Sequence, residues 1–221
     1  MRVFWDWEWV FSHLDLIGQR LLEHVWLTFL AVGIGLLISF PLAIYAFRHP
    51  RSYPPITWLT GLLYTIPSLA LFALLVPFTG LSTLTAEIGL VGYTLLILIR
   101  NTATGLSGTP ADVREAARGM GYTPRQLLWR VEVPLAMPVI IAGARIATVT
   151  TIGLVTVTAL VGKGGLGALM LGGFRNLYPD VAVLVGVALS VILALAADGL
   201  LLGAQRVLTP WAGATRVRTA V

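Results

Sequence analysis

Residues 25–47 read VWLTFLAVGIGLLISFPLAIYAF and contain no charged side chain. The stretch exceeds the roughly 20 apolar residues that a helix needs to cross the hydrocarbon core of a bilayer. It belongs to a chain of 221 residues, of which 57% are hydrophobic and 11% are charged. Since soluble domains carry roughly 25% charged residues, this composition excludes an ordinary soluble enzyme, a disordered chain and a nucleic-acid binder. The sequence predicts an all-α integral membrane protein.

Four further stretches are apolar enough to cross a membrane. The third span holds Glu87 and Arg100 near its ends, the fourth holds Arg145 alone, and the fifth holds one acid, Asp198. The second span, like the first, is free of charge. The five predicted spans are residues 25–47, 57–78, 84–106, 138–161 and 181–203.

Two other apolar segments are not predicted to span the membrane. Residues 1–24 carry Trp5, Trp7 and Trp9 among acidic and basic side chains, a composition typical of an N-terminal segment held at the membrane interface. Residues 164–174 are too short to cross and suit a re-entrant or interfacial piece.

The placement of Arg and Lys predicts the orientation, because cytoplasmic segments carry an excess of these residues. We therefore predict that the N-terminus lies outside and the C-terminus inside, because this orientation puts most of the Arg and Lys residues on the inner side. Residues 107–137 are then a cytoplasmic loop, and residues 206–221 are a cytoplasmic tail. The inner segments then hold Arg48, Arg51, Arg100, Arg114, Arg118, Arg125, Arg130, Arg206, Arg216 and Arg218, and the outer segments hold Arg2, Arg20, Lys163 and Arg175.

The cytoplasmic loop is predicted to contain two short helices. Residues 109–112 read TPAD, which predicts Thr109 as the N-cap of the first helix; Gly119 and Gly121 end it. The second helix starts at residues 123–126, which read TPRQ, and runs to about Val131. Its end is predicted at two prolines, Pro134 and Pro138, which lead into the fourth span.

The first short helix carries an apolar stripe that is too small to build a domain. The stripe either docks into a groove on another protein or packs against the helix ends of this chain, and both interpretations stay open. Its members are Val113, Ala116, Ala117 and Met120.

Glu115-Ala116-Ala117, followed by Gly121 and by Val131-Glu132-Val133-Pro134, resembles the EAA loop of the permeases of ATP-binding-cassette (ABC) importers. The family pattern ends in Ile-x-Leu-Pro, and this chain keeps apolar residues at both places. Residues 100–136, together with residues 64–71 and 164–167, are similar to the glycine betaine, carnitine and choline branch. The resemblance covers about residues 20–205 and predicts a permease transmembrane domain over residues 25–205.

The resemblance implies the fold of a type I importer permease, in which the EAA helix couples the membrane helices to a cytoplasmic ABC ATPase. It also implies a second permease copy or a paralogue, an extracytoplasmic substrate-binding protein, and the cytoplasmic membrane of a bacterium or archaeon. ATP and Mg²⁺ would be bound by the ATPase, so no cofactor is expected in this chain. The residues expected to act in coupling are Val113, Glu115, Ala116, Ala117, Gly119, Met120, Gly121 and Pro134.

The expected function is translocation of a small compatible solute, such as glycine betaine, choline or carnitine, by alternating access driven by the ATPase. The alternatives are an ABC permease for another small solute, such as an amino acid or an alkanesulfonate, and a secondary transporter or channel without an ATPase. Pro67 breaks backbone hydrogen bonds in the second span, which predicts either a lining for the pathway or a plain helix kink. The residues expected along the pathway are Tyr64, Thr65, Pro67, Ser68, Tyr93, Asn101 and Thr102.

Two charged side chains remain inside predicted spans at similar depth. Arg145 and Asp198 are expected either to form a structural ion pair or to extend separately to the interface. No catalytic or metal-binding residue is predicted, because the chain has no cysteine and its three histidines lack the spacing of metal ligands. The single lysine, Lys163, precedes Gly164 rather than the Ser or Thr of a nucleotide-binding P-loop.

Overall fold

The computed structural model describes residues 6–175 and 179–214, and every regular element in these ranges is helical. The predicted all-α fold is thereby confirmed. Arg2, Trp5, Arg216 and Arg218 lie outside the described residues. The helices of the first half are α1 (Trp7–Ser12), α2 (Leu14–Arg48), α3 (Tyr53–Thr65), α4 (Ser68–Thr79) and α5 (Thr83–Ser107). Those of the second half are α6 (Ala111–Gly119), α7 (Pro124–Leu127), α8 (Val133–Val157), α9 (Leu166–Arg175), α10 (Pro179–Leu208) and α11 (Trp211–Ala214).

Helix α2 begins at Leu14, well before the predicted start of the first span at Val25. Two of the charged side chains in this segment pair on the helix surface, where Arg20 donates to Glu23 over 2.9 Å. The short helix α1 precedes it and is capped by the side chain of Asp6. The interfacial position of this N-terminal region stays a prediction.

The predicted second span is not one continuous helix. Helices α3 and α4 meet at an angle of 94°, and Pro67 forms the N-cap of α4. Ile66 adopts an extended backbone conformation, because the ring of a following proline disfavours the helical one. The break is therefore much larger than the kink that a proline alone introduces.

The broken pair nevertheless returns the chain across the bundle. Leu27 and Leu90 belong to one apolar cluster, while Phe47 packs on another that contains Leu106, so α2 and α5 run in the same direction. The residues between Arg48 and the start of α5 must therefore lead back to the other end. Within residues 6–175 and 179–214, four helices are long and apolar enough to span a membrane, and the bent pair supplies a fifth crossing.

The chain is helical without interruption from Pro124 to Val161, so the predicted end of the second short helix at Pro134 and Pro138 is wrong. A π-helical segment, Leu128–Glu132, joins α7 to α8. Pro134 lies two residues beyond this segment, and local π-helical adjustments satisfy the backbone group that a proline leaves free in a membrane helix. Pro138 lies inside α8, as neighbouring helices permit in membrane proteins.

Helix α5 lies at the centre of the bundle between α2 and α8. A β-carbon added at Gly35 of α2 would overlap Thr94, and one added at Gly143 of α8 would overlap Asn101. Small residues at such contacts let helix backbones approach closely, which drives helix association in lipid.

His24 links three helices near the end of the bundle opposite α6. The backbone N–H of Leu166 donates to Nδ1 over 3.3 Å, so Nε2 carries the proton and donates to the carbonyl of Ile152 over 3.0 Å. The side chain is fully buried. Gly165, beside it, has a φ of 47° and no room for a side chain against the His24 backbone.

Replacing this histidine tests how strongly it holds α2, α8 and α9 together. We expect His24→Ala to lower the free energy of unfolding by about 2 kcal/mol, because it opens a cavity and leaves a buried N–H unpaired. Titration with denaturing detergent measures the change. His49→Ala is the control, since the ring of His49 is exposed and bonds to the carbonyl of Tyr45, one turn earlier in the chain; equal losses in both variants would contradict the assignment.

Candidate functional site

The first short helix of the loop, α6, begins one residue later than predicted, at Ala111. Pro110 is the N-cap, whereas the backbone N–H of Thr109 extends the last turn of α5 by donating to Leu106 over 3.3 Å. The hydroxyl of Thr109 is buried and has no hydrogen-bond partner among the described residues. The prediction that Thr109 caps α6 is therefore wrong, because Thr109 still belongs to the last turn of α5 and the first backbone bond of α6 runs from Arg114 to the carbonyl of Pro110.

The end of α6 and the start of α7 lie where the glycines and the second cap residue predict them. Gly119 is the last helical residue, and Gly121 has a φ of 82°, a left-handed conformation that glycine adopts without strain. This turn lets Tyr122 donate to the carbonyl of Ala117 over 3.1 Å. Thr123 then starts α7 with the reciprocal capping box formed with residue 126.

The apolar stripe of α6 divides between two environments. Ala117 is 2% exposed and packs on this chain, whereas Met120 is 69% exposed. Ala116 and Glu115 are exposed as well, and Val113 is half-buried. Packing against this chain is thus confirmed for Ala117, which fastens the helix to the bundle. Docking on another protein stays a prediction for the outward-facing Ala116 and Met120.

A groove of about 430 Å³ separates α6 and α7 from the last turn of α2. Arg48, Arg114 and Arg118 line it together with Glu132. Arg48 donates to the carbonyl of Pro124 over 2.7 Å, which ties α2 to α7. We call this side of the molecule, with α6, α7 and the C-terminal ends of α2 and α5, the coupling end.

The predicted pathway residues fall into two places. Tyr64 and Tyr93 meet edge to face, with ring centroids 5.8 Å apart, and the Tyr93 hydroxyl donates to the carbonyl of Ile66, which the helix break leaves free. Thr65 and Pro67 are exposed at the same break, with Ser68 half-buried beside them.

Asn101 and Thr102 are not part of this group. Thr102 is 1% exposed, and Asn101 packs against Gly143 while its amide donates to Ile97 over 2.8 Å. Asn101 therefore lies in the packed contact between α5 and α8, and Thr102 is buried in the bundle rather than along an open surface.

Arg145 and Asp198 join α8 to α10 by a bidentate ion pair. The Nε–Oδ1 and Nη2–Oδ2 distances are both 2.8 Å. Gln205 lies 3.5 Å from the same guanidinium and donates to the carbonyl of Pro138 over 3.2 Å. The sequence did not lead us to predict this contact of Gln205. The signal was its position two turns beyond Asp198, which puts both residues on one helix face.

Comparisons with known proteins agree with this architecture. Residues 26–209 match the family described as binding-protein-dependent transport system inner membrane component. The chain is 42% identical over 194 residues to the osmoprotectant import permease protein OsmW of Salmonella typhimurium, covering 85% of this chain and 89% of OsmW. It is 36% identical over 196 residues to the choline transport system permease protein OpuBB of Bacillus subtilis, covering 89% of each.

A solved structure shares the fold. A chain of the inward-facing MetNI methionine ABC transporter superposes with a TM-score of 0.78 at 23% sequence identity, covering 90% of this chain and 98% of that one. At this identity the similarity establishes the arrangement of helices alone.

Exchanging the charges of the ion pair tests whether it joins α8 and α10. We expect Arg145→Asp and Asp198→Arg each to lower the thermal midpoint of the purified protein, because each leaves two like charges facing one another within the membrane. The double exchange is expected to restore most of the loss. Two single variants as stable as the wild type, or a double variant less stable than either, would contradict a structural pair.

Proposed function

Because the chain belongs to the family of binding-protein-dependent transport system inner membrane components, we propose that it is the permease of an ABC importer for a small compatible solute. It is a multi-pass protein of the inner membrane and a transport component rather than an enzyme. The observation that carries the proposal is the 42% identity to an osmoprotectant import permease over 85% of the chain. The exposed EAA helix at one end of the bundle supports it.

We place the coupling end in the cytoplasm. It carries most of the arginines of the described loops, whereas the opposite end has few basic residues, and cytoplasmic loops are enriched in such residues. Because the first crossing, α2, ends at the coupling end, a cytoplasmic coupling end puts the N-terminus outside. The basic residues of the coupling end are Arg48, Arg51, Arg114, Arg118, Arg125 and Arg130.

The outward face of α6 is the proposed contact with the ATPase. Ala116 and Met120 leave a small apolar surface that α6 cannot bury within this chain, and a short helix with such a surface suits a groove on a partner. Glu115 is exposed beside it, but an exposed ion pair contributes only about 0–1 kcal/mol. Shape and apolar burial therefore dominate the docking.

The proposed cargo carries a quaternary ammonium group. The relatives are named for osmoprotectants and choline, and residues 53–79 of this chain contain no charged side chain. A cation passing the helix break would meet the aromatic faces of Tyr64 and Tyr93, which attract such groups. Substrate would arrive from an extracytoplasmic binding protein, and a second permease would complete the pathway.

Transport would follow from a shift between inward-open and outward-open states. An ATPase can change that equilibrium only if it contacts the two states differently. The helix break at Pro67 gives the second crossing a place where its two halves can change angle. A secondary carrier is less well supported, because such carriers tend to place charged side chains at the midplane and the broken crossing has none.

Reconstitution with the cognate ATPase and binding protein tests the cargo. We expect ATP-dependent uptake of labelled glycine betaine or choline, and a rise of about tenfold in KM for Tyr64→Leu, because it removes an aromatic face. Tyr64→Phe is the control and retains the wild-type KM. Uptake without ATP would favour a secondary carrier, and unchanged KM in Tyr64→Leu would remove this tyrosine from the pathway.

A second variant tests the docking of α6. We expect Ala116→Arg to reach the membrane in normal amounts, since Ala116 is exposed, and to lose about 90% of both ATPase co-purification and uptake through steric obstruction. Ala116→Ser, which is nearly isosteric, is the control and behaves as wild type. Normal co-purification of the Arg variant would place the ATPase contact elsewhere.

A further inference from the structure

The side chain of Arg114 reaches from α6 to two membrane helices. Its Nη2 donates to the carbonyl of Leu106 over 2.9 Å and to that of Ser107 over 3.4 Å. Both carbonyls belong to the last turn of α5, where cations are favoured. The guanidinium carbon also lies 5.5 Å from the centre of the Phe47 ring, in the last turn of α2.

The same guanidinium forms an ion pair with Glu132. Arg114 Nε lies 3.3 Å from Oε1 of this carboxylate, and Glu132 is 4% exposed. Its other oxygen, Oε2, is buried with no hydrogen-bond partner among the described residues. Glu132 ends the π-helical segment that leads into α8, so one arginine contacts the cytoplasmic ends of α2, α5 and α8.

Few other contacts fasten α6 to the bundle. Ala117 is the one buried residue of this helix, and its methyl group offers little surface through which a displacement could be passed on. The two bonds from Arg114 to the carbonyls of α5 are directional and involve a charged group, and such bonds are roughly twice as strong as neutral ones. Its contact with Glu132 is an ion pair without hydrogen-bond geometry, because Nε has no hydrogen-bond partner among the described residues. π-helical segments interrupt the regular hydrogen-bond ladder and occur frequently at functional sites.

We propose that Arg114 and Glu132 form the positioning pair that transmits a displacement of α6 to the membrane helices. The inference rests on the proposed function, since it requires an ATPase to move α6. When α6 shifts, Arg114 carries the ends of α2 and α5 with it and moves the start of α8 through Glu132. Neither residue contacts the solute or the nucleotide in this role.

The test separates transport from ATP hydrolysis in the complex reconstituted with the cognate ATPase and binding protein. Arg114→Gln, Glu132→Gln and the double variant are each measured for ATPase co-purification, ATP hydrolysis and solute uptake. We expect uptake per ATP hydrolysed to fall about tenfold in all three, while co-purification is retained. Arg114→Lys keeps the charge but not the planar fork, so it recovers part of the ratio.

The matched control is a second Arg–Glu pair in the described part of the chain, Arg20 with Glu23, which lies within one helix at the opposite end. Arg20→Gln with Glu23→Gln is expected to retain the wild-type ratio. A wild-type ratio in the Arg114 and Glu132 double variant overturns the inference. So does a fall of uptake, hydrolysis and co-purification in equal proportion, which would make the pair only structural. Absence of ATP-driven uptake in the wild type would instead overturn the proposed function.

Discussion

The bundle depends on how closely α5 approaches α2 and α8. Lipid tails are as apolar as leucine side chains, so hiding apolar surface does not by itself hold membrane helices together. At three contacts a glycine lies so close to the neighbouring helix that a β-carbon would overlap it. Gly35 of α2 packs against Thr94, and Gly143 of α8 packs against Asn101. Gly105 of α5 packs against the backbone of Ala136. Dispersion contacts over such surfaces are individually small and collectively large. The three helices therefore form one packed unit against which the other helices are placed.

Two polar groups around this unit are paired with side chains from distant parts of the sequence. The break at Pro67 frees the carbonyl of Ile66, and the Tyr93 hydroxyl binds it. An unsatisfied backbone group in hydrocarbon costs several kcal/mol, so this bond allows a sharp bend at membrane depth. The guanidinium of Arg145 is likewise matched by the carboxylate of Asp198, and α8 is joined to α10 there.

The length and the predominantly apolar composition of the spans were sufficient to predict the long helices, and cap residues were sufficient to predict the turn from Gly119 to Thr123. These features depend on neighbours in sequence. The 94° break was not predicted, because its angle depends on Tyr93 of another helix as well as on Pro67. The uninterrupted helix through Pro134 depends on a π-helical segment that has no periodic signature. The ion pair between Arg114 and Glu132 was not predicted, because the two residues come together only when the whole loop folds back onto the start of α8.

The geometry of α6 explains why two adjacent alanines occur in the EAA segment. Consecutive residues of a helix point about 100° apart, so Ala116 and Ala117 cannot face the same neighbour. Ala117 is pressed against this chain and Ala116 is turned outward. A large side chain at either position would thus obstruct a different surface. With α6 kept close to the bundle by a small residue, the longer Arg114 reaches both the carbonyls of α5 and the buried Glu132 from the same helix.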